Sequence, residues 1–279
     1  MTGNIKKKFL NKLNGLLRRA KVPFYLHKIG PKKFTSWQNI KLCLLKEKFK
    51  LSYRNIIEFS FTVGINKIHY TTLQKFLQRI PQALWNLLLN LSVQLERVEL
   101  VAVDATGISR TCASSHFKWR IDRIGPDKQS LKLSILADCN SHKILAARIR
   151  AKYFGSHDIK YVMYLLRNIK TKFLAFRGDK AYDANWLREL LKERNIEAVI
   201  PLKKLSGEKR CRKYFCNKQK YAKGSNVEST FSALKRKYGN SVSSRKIKMQ
   251  KTQLLCRIIL HNLDRTKPYL KLLFLQSLS

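Results

Sequence analysis

The chain has 279 residues, room for one large domain or a small plus a medium one, and 44% of them are hydrophobic, which argues against global disorder. Lys and Arg number 58 against 17 Asp and Glu, a net charge of +41. A folded chain so basic needs a polyanionic partner, and nucleic acid is the usual one. No apolar run is long enough to span a membrane, and Lys12, Arg18 and Arg19 interrupt any signal-peptide core. Cys43, Cys112, Cys139, Cys211, Cys216 and Cys256 have neither zinc-ribbon spacing nor a disulfide framework. The expectation is reduced thiols in a cytoplasmic, nucleoid-associated protein with no membrane partner.

Phe9, Leu10, Leu13, Leu16 and Leu17 recur at helical spacing with lysines opposite, predicting an amphipathic helix with its charged face toward DNA or solvent. Pro23 and Gly30-Pro31 end it. Three helices are predicted between residues 36 and 80. They run from Trp37 to Phe49, from Leu51 with Ser52 as its cap, and from Tyr70 to Ile80 with Thr71 or Thr72 near its start. The break at Val63-Gly64-Ile65-Asn66 gives the last two a helix-turn-helix grammar. Gln74, Lys75, Gln78 and Arg79 are then the residues offered to DNA; a plain three-helix bundle is the alternative. A leucine-rich helix, Leu84 to Leu95, closes a helical DNA-binding region over residues 1–97.

The texture then changes. Val98 to Asp104 reads as a strand closed by Ala105-Thr106-Gly107, and Leu131 to Asp138 and Lys143 to Ala151 as a hairpin. A helix from Ser156 to Ile169, a strand ending at Asp179, a helix from Asp183 to Arg194, a short strand at 198–201 and a helix from about Gly224 to Tyr238 follow. This order predicts an α/β domain over residues 98–245, a mixed sheet flanked by helices. Residues 246–279 read as a basic helical segment.

Asp104 and Asp179 stand at strand ends and Glu228 within a helix. Such carboxylates can meet at one sheet edge, where hard divalent ions are held and phosphodiesters are cut. Asp138 is a rival ligand or a turn former at Cys139-Asn140-Ser141, while Asp183 and His157-Asp158 read as helix caps. After Asp104, Lys118 and Arg120 interleave with Phe117 and Trp119, a pattern suited to a nucleic-acid strand and equally to a loop packed by its aromatics.

Three blocks, Val101-Ala-Val-Asp104-Ala-Thr-Gly, Arg177-Gly-Asp179-Lys-Ala-Tyr-Asp183 and Asn226-Val-Glu228-Ser-Thr-Phe231-Ser-Ala-Leu-Lys235, resemble in order those of DDE transposases. The resemblance is to the insertion-sequence-four and -five superfamily and covers about residues 99–240. It implies an RNase H-like catalytic domain, with Asp104, Asp179 and Glu228 catalytic and binding Mg²⁺ or Mn²⁺, two ions in all. It also implies cleavage at transposon ends and transfer of the freed 3′-OH into target DNA. Tyr221 and Lys235 occupy the family's flanking positions in the third block, while Gly224 stands where the family has Arg, with Lys223 beside it. Partners so implied are double-stranded DNA and a second copy of the chain, because two ends are joined. A catalytically inactive or repurposed transposase acting as a DNA-binding protein, and a nuclease of the same fold, are the alternatives.

Overall fold

The computed structural model describes residues 2–26, 29, 32–62, 64–65, 68–95, 97–110, 130–151, 157–203 and 226–266. The N-terminal part is helical: α1 (Thr2–Arg19), α2 (Ser36–Lys48), α3 (Tyr53–Thr62), α4 (Tyr70–Arg79) and α5 (Gln82–Val93). Local chemistry sets the starts of these helices. Thr35 and Gln38 form a reciprocal capping box on α2, and Ser52 Oγ accepts from Asn55 N at 3.1 Å ahead of α3, as expected. α4 starts at Tyr70 as expected, with Thr71 and Thr72 in its first turn, and His69 caps it by accepting from Thr71 N. Between α3 and α4, Gly64 takes φ 67°, the left-handed value its turn requires.

Among the described residues a six-stranded sheet follows, ordered β3-β2-β1-β4-β5, with β6 also paired to β1. Its strands are β1 (Arg97–Arg110), β2 (Ser130–Asp138), β3 (Ile144–Ala151), β4 (Lys172–Arg177), β5 (Glu197–Val199) and β6 (Ser241–Val242). β2 runs antiparallel to both β1 and β3, whereas β4 is parallel to β1 and β5 to β4. This is the RNase H-like arrangement. The connecting helices are α6 (Val162–Asn168), after a 3-10 turn at Asp158–Tyr161, α7 (Asn185–Glu193), α8 (Asn226–Tyr238) and α9 (Ile247–Asp264).

The strand expected to close at Asp104 runs on to Arg110. β2 stays paired with it as far as Ser109↔Ser130, and β6 joins at Ser109 and Arg110, so the ladder continues past the carboxylate. Asp104 is therefore interior to the central strand. Alternation sorts the sheet into two faces. Leu100, Ala102 and Ile108 join a core shared with Phe231 and Leu234 of α8 and with the N-terminal helices. Val101, Val103 and Phe176 pack instead with α6 and α7 through Val162, Leu165, Leu187 and Leu191.

The helix at the C-terminal end departs most from its composition. α9 is buried from Met249 to Leu263 save Lys251, with Leu254, Leu255, Cys256, Ile258, Ile259 and Leu260 at most 1% exposed. It packs on α2, α5 and β3, so the segments expected at 1–97, 98–245 and 246–279 contribute to one shared core. Its polar side chains are absorbed individually. Asn262 bridges the amide and carbonyl of Ile144 at 2.8 Å each, and Arg257 donates to Glu47 Oε2 at 3.0 Å and to Ser241 O at 2.7 Å. Lys12 of α1, on the face expected to meet DNA or solvent, donates instead to Leu263 O and Thr266 O, neutralising the negative end of α9.

Candidate active site

Strand alternation places Asp104 and Thr106 on the sheet face that α8 covers. Lys235 of α8 confirms the register, its Nζ donating to Thr106 Oγ1 at 2.7 Å. Asp104 is half-buried, and its Oδ1 accepts from Ala105 N at 2.7 Å. Burial pushes its carboxyl above the ordinary range, the Ala105 amide opposes this, and the charges of Asp179, Glu228 and Asp158 add to the rise. The charges of Asp179 and Glu228 are thus felt at Asp104.

Asp179 lies just beyond β4. It caps the 3-10 turn Lys180–Tyr182, accepting from Ala181 N at 2.9 Å, and is exposed. The turn is tight because Gly178 permits it: a Cβ there would stand 2.9 Å from Tyr182 Cβ. Tyr182 folds beneath the site at 3% exposure, and its hydroxyl is pushed far up by burial and then by Asp158, Asp104 and Asp179. Sequence reading missed this wall, although Gly178 and Tyr182 both stand in the recognised block. Glu228 projects from the first turn of α8 and is exposed, while Val227 and Phe231 bury the helix's inner side.

No cationic side chain among the described residues bonds Asp104, Asp179 or Glu228. The other carboxylates nearby are occupied. Asp158 takes Lys132 at 2.5 Å and Arg150, so it is an ion-pair partner rather than a helix cap. Asp183 also departs from the expected cap: it accepts from Arg188 at 3.0 Å and from Lys203 N at 2.6 Å, while α7 is capped by Ala184 without a side-chain bond. The apolar setting of Arg188, 4% exposed, favours a paired charge over a free one. Asp138 takes the turn role, accepting from Ser141 N at 2.8 Å and from Asn140 N.

The donor set at the mouth fits a hard divalent cation: it is oxygen-only, no cationic side chain among the described residues bonds it, and Asp104 is lifted first by burial and further by its acidic neighbours. Among the described residues no three His, Cys, Asp or Glu side chains are drawn close enough to form a ready-made metal shell. The mouth is open, with one carboxylate on the central strand, one on a turn and one on a helix.

On α4, Lys75 and Arg79 are exposed, and Gln74 and Gln78 turn toward a cleft beside the α2–α3 junction. Lys118, Arg120, Tyr221 and Gly224 lie outside the described residues. Cys43, Cys139 and Cys256 are buried, and the sulfurs of Cys43 and Cys256 lie 3.4 Å apart. No helix among the described residues is long and apolar enough to cross a membrane.

Residues 98–263 match the family described as the transposase DDE domain. No curated protein matches the chain. Among solved structures it is similar to a piggyBac transposase synaptic complex with hairpin DNA, at 10% identity over 92% of this chain and 72% of that one, with a TM-score of 0.47. It is also similar to a Mos1 transposase paired-end complex (11% identity, 89% and 83% covered, TM-score 0.32) and to the Drosophila P element transposase strand transfer complex (10%, 89% and 70%, TM-score 0.35).

Proposed function

We infer the reaction from one premise: the chain belongs to the transposase DDE-domain family. It mobilises a DNA element, cutting at the transposon ends in a metal-dependent step and transferring the 3′-OH into target DNA. The insertion-sequence-four and -five superfamily is the branch its three blocks resemble. The observation that carries the reading is Asp104, a half-buried carboxylate that feels the charges of Asp179 and Glu228 and to which no cationic side chain among the described residues is bonded, in a chain of net charge +41.

Asp104, Asp179 and Glu228 are the residues that would hold Mg²⁺ or Mn²⁺. When bound, such ions activate the attacking oxygen and stabilise the leaving oxygen of the phosphodiester. The chain's own groups do the rest. β1 fixes Asp104, because the ladder to β2 runs through Asp104 itself and β4 holds the strand just before it, as far as Ala102. The Ala181 amide holds one oxygen of Asp179 and aims the carboxylate out of the turn. Tyr182, 3% exposed, anchors the turn after Asp179 in the core shared with α6 and α7. Lys235, held at Thr106 on the strand that bears Asp104, is placed to take a phosphate oxygen of the substrate. Lys75 and Arg79, with Gln74 and Gln78 beside them, serve recognition of the ends, and Lys118, Arg120 and Tyr221 are further DNA contacts. Joining two ends requires two active sites, hence a homodimer or higher oligomer.

The test is incubation of purified protein with duplex DNA bearing candidate ends, with Mg²⁺ or Mn²⁺, comparing wild type with Asp179→Ala. Cleavage is expected to fall at least about 10³-fold in the variant. Persistence of metal-dependent cleavage in Asp179→Ala would sink the assignment.

A further inference from the structure

A cavity of about 600 Å³ lies away from the carboxylate mouth, between the α2–α3 junction, α4 and the start of α9. Lys46 and Lys50 line it from one side, Gln74 and Gln78 from a second, and Arg245 and Lys246 from a third, with no carboxylate among the described residues of the lining. Lys46 is neutralised: it bonds Glu47 at 2.8 Å and lies 4.7 Å from the centre of the Tyr53 ring. Lys50, Arg245 and Lys246 are exposed and have no acidic partner among the described residues. The net field in the cleft is therefore positive.

Backbone groups reinforce it. α9 begins here, capped by Lys246 without a side-chain hydrogen bond, so the positive end of an 18-residue helix opens on the cleft. The wall is rigid. Gln253 receives Ser244 N at 3.3 Å and donates to Ser243 Oγ and to Glu47, while Gln250 Nε2 holds Ser244 O at 2.7 Å. A cation cluster on a fixed frame beside a helix start is suited to a phosphate.

We propose that this cleft is a second anion site, which seats a backbone phosphate of the DNA while Lys75 and Arg79 contact its continuation. The proposal rests on the reading of the chain as a DNA-acting enzyme and adds where the helical layer grips the polymer. The argument for a polymer over a small anion lies on α4. Gln74 and Gln78 face into the cleft, and one position on, Lys75 and Arg79 carry exposed positive charge beyond it.

The experiment measures binding of the full chain to a duplex by fluorescence anisotropy, in chelator, across a salt series. The test variant is Lys50→Asn/Arg245→Ala/Lys246→Ala, with Asn at Lys50 because that residue sits at φ 54°. The control is Lys170→Ala/Lys172→Ala/Lys192→Ala, which removes equal charge from exposed positions around β4 and α7. The cleft variant is expected to bind about tenfold more weakly near physiological salt, with the log–log salt slope reduced by about 1 or more. The control keeps both values near wild type, and the Tm of each variant stays at the wild-type level. Equal losses in the two variants, or no loss in the cleft variant, overturn the proposal. So does inorganic phosphate stabilising the wild type as much as duplex at equal phosphate concentration, which makes the cleft a small-anion pocket. Binding in chelator is read apart from cleavage: a wild type that binds through the cleft and never cuts overturns only the catalytic reading.

Discussion

Two carboxylates in this chain show opposite treatment of negative charge. Glu47, 5% exposed on α2, has its oxygens taken by Lys46, Arg257 and Gln253. Asp104, half-buried on β1, receives one backbone amide and the repulsion of three other acids. Both lie in a protein whose cations outnumber its acids by 58 to 17, so a partner was available to either. Where the fold uses a carboxylate as a strut, a lysine or arginine is supplied. At the mouth, no cationic side chain among the described residues bonds the three carboxylates, which leaves their charge for something from outside.

The contrast breaks if Glu47→Gln costs little. That change strands Arg257 and Lys46 in the seam between α2 and α9, and the expected loss is about 3–5 kcal/mol, a Tm drop on the order of 10 °C, measured by urea and thermal unfolding. A smaller effect comes from His261, which burial on α9 pushes down to about 4, with the nearby charges of Arg265 and Lys237 acting in the same direction. A histidine kept neutral in the fold contributes stability at neutral pH. That stability is lost as pH falls below the unfolded value near 6.5 toward 4, roughly 2–3 kcal/mol in all. Thermal melts at pH 7 and pH 5 should converge in His261→Gln relative to wild type. Smallest and opposite in sign is Asp104→Asn. The carboxyl is raised, so its ionisation above the folded pKa costs stability, and removing the charge should lift Tm at pH 7 by roughly 1–3 °C in chelator. Added Mg²⁺ or Mn²⁺ should raise the Tm of wild type but not of the variant. A destabilised Asp104→Asn protein would make Asp104 another strut.

Much of this was legible in the sequence. Alternation across Val98 to Val103, the capping signal at Ser52 and the Gly-Asp turn after Phe176 are local, and local rules placed them within a residue or two. What failed was decided by partners remote in the chain. Asp104 looked like a strand end because Thr106-Gly107 reads as a turn, yet pairing with β2 and with β6, more than a hundred residues later, carries the strand on. Asp183 resembled a cap since it precedes a helix; Arg188 and the Lys203 amide claim it instead. Glu47 and Arg257 are 210 positions apart, and no spacing rule reaches that far. The helix at α9 was expected, but its burial was not legible for the same reason, because the partners that cover it lie in α2, α5 and β3. The gathering of Asp104, Asp179 and Glu228 was read from resemblance and reaction logic; spacing alone did not require it.

The late position of α9 has a consequence during synthesis. Residues 247–264 leave the ribosome after nearly everything they pack against, including α2, α5 and β3. Until they arrive, the helical layer and one face of the sheet lack the apolar rod between them, and a nascent chain of high positive charge displays greasy surface to its surroundings. A message truncated before Ile247 therefore yields a client for chaperones and proteases, not a shorter DNA-binding protein. Stop codons ahead of or within the codons for α9 silence the product as thoroughly as loss of Asp104.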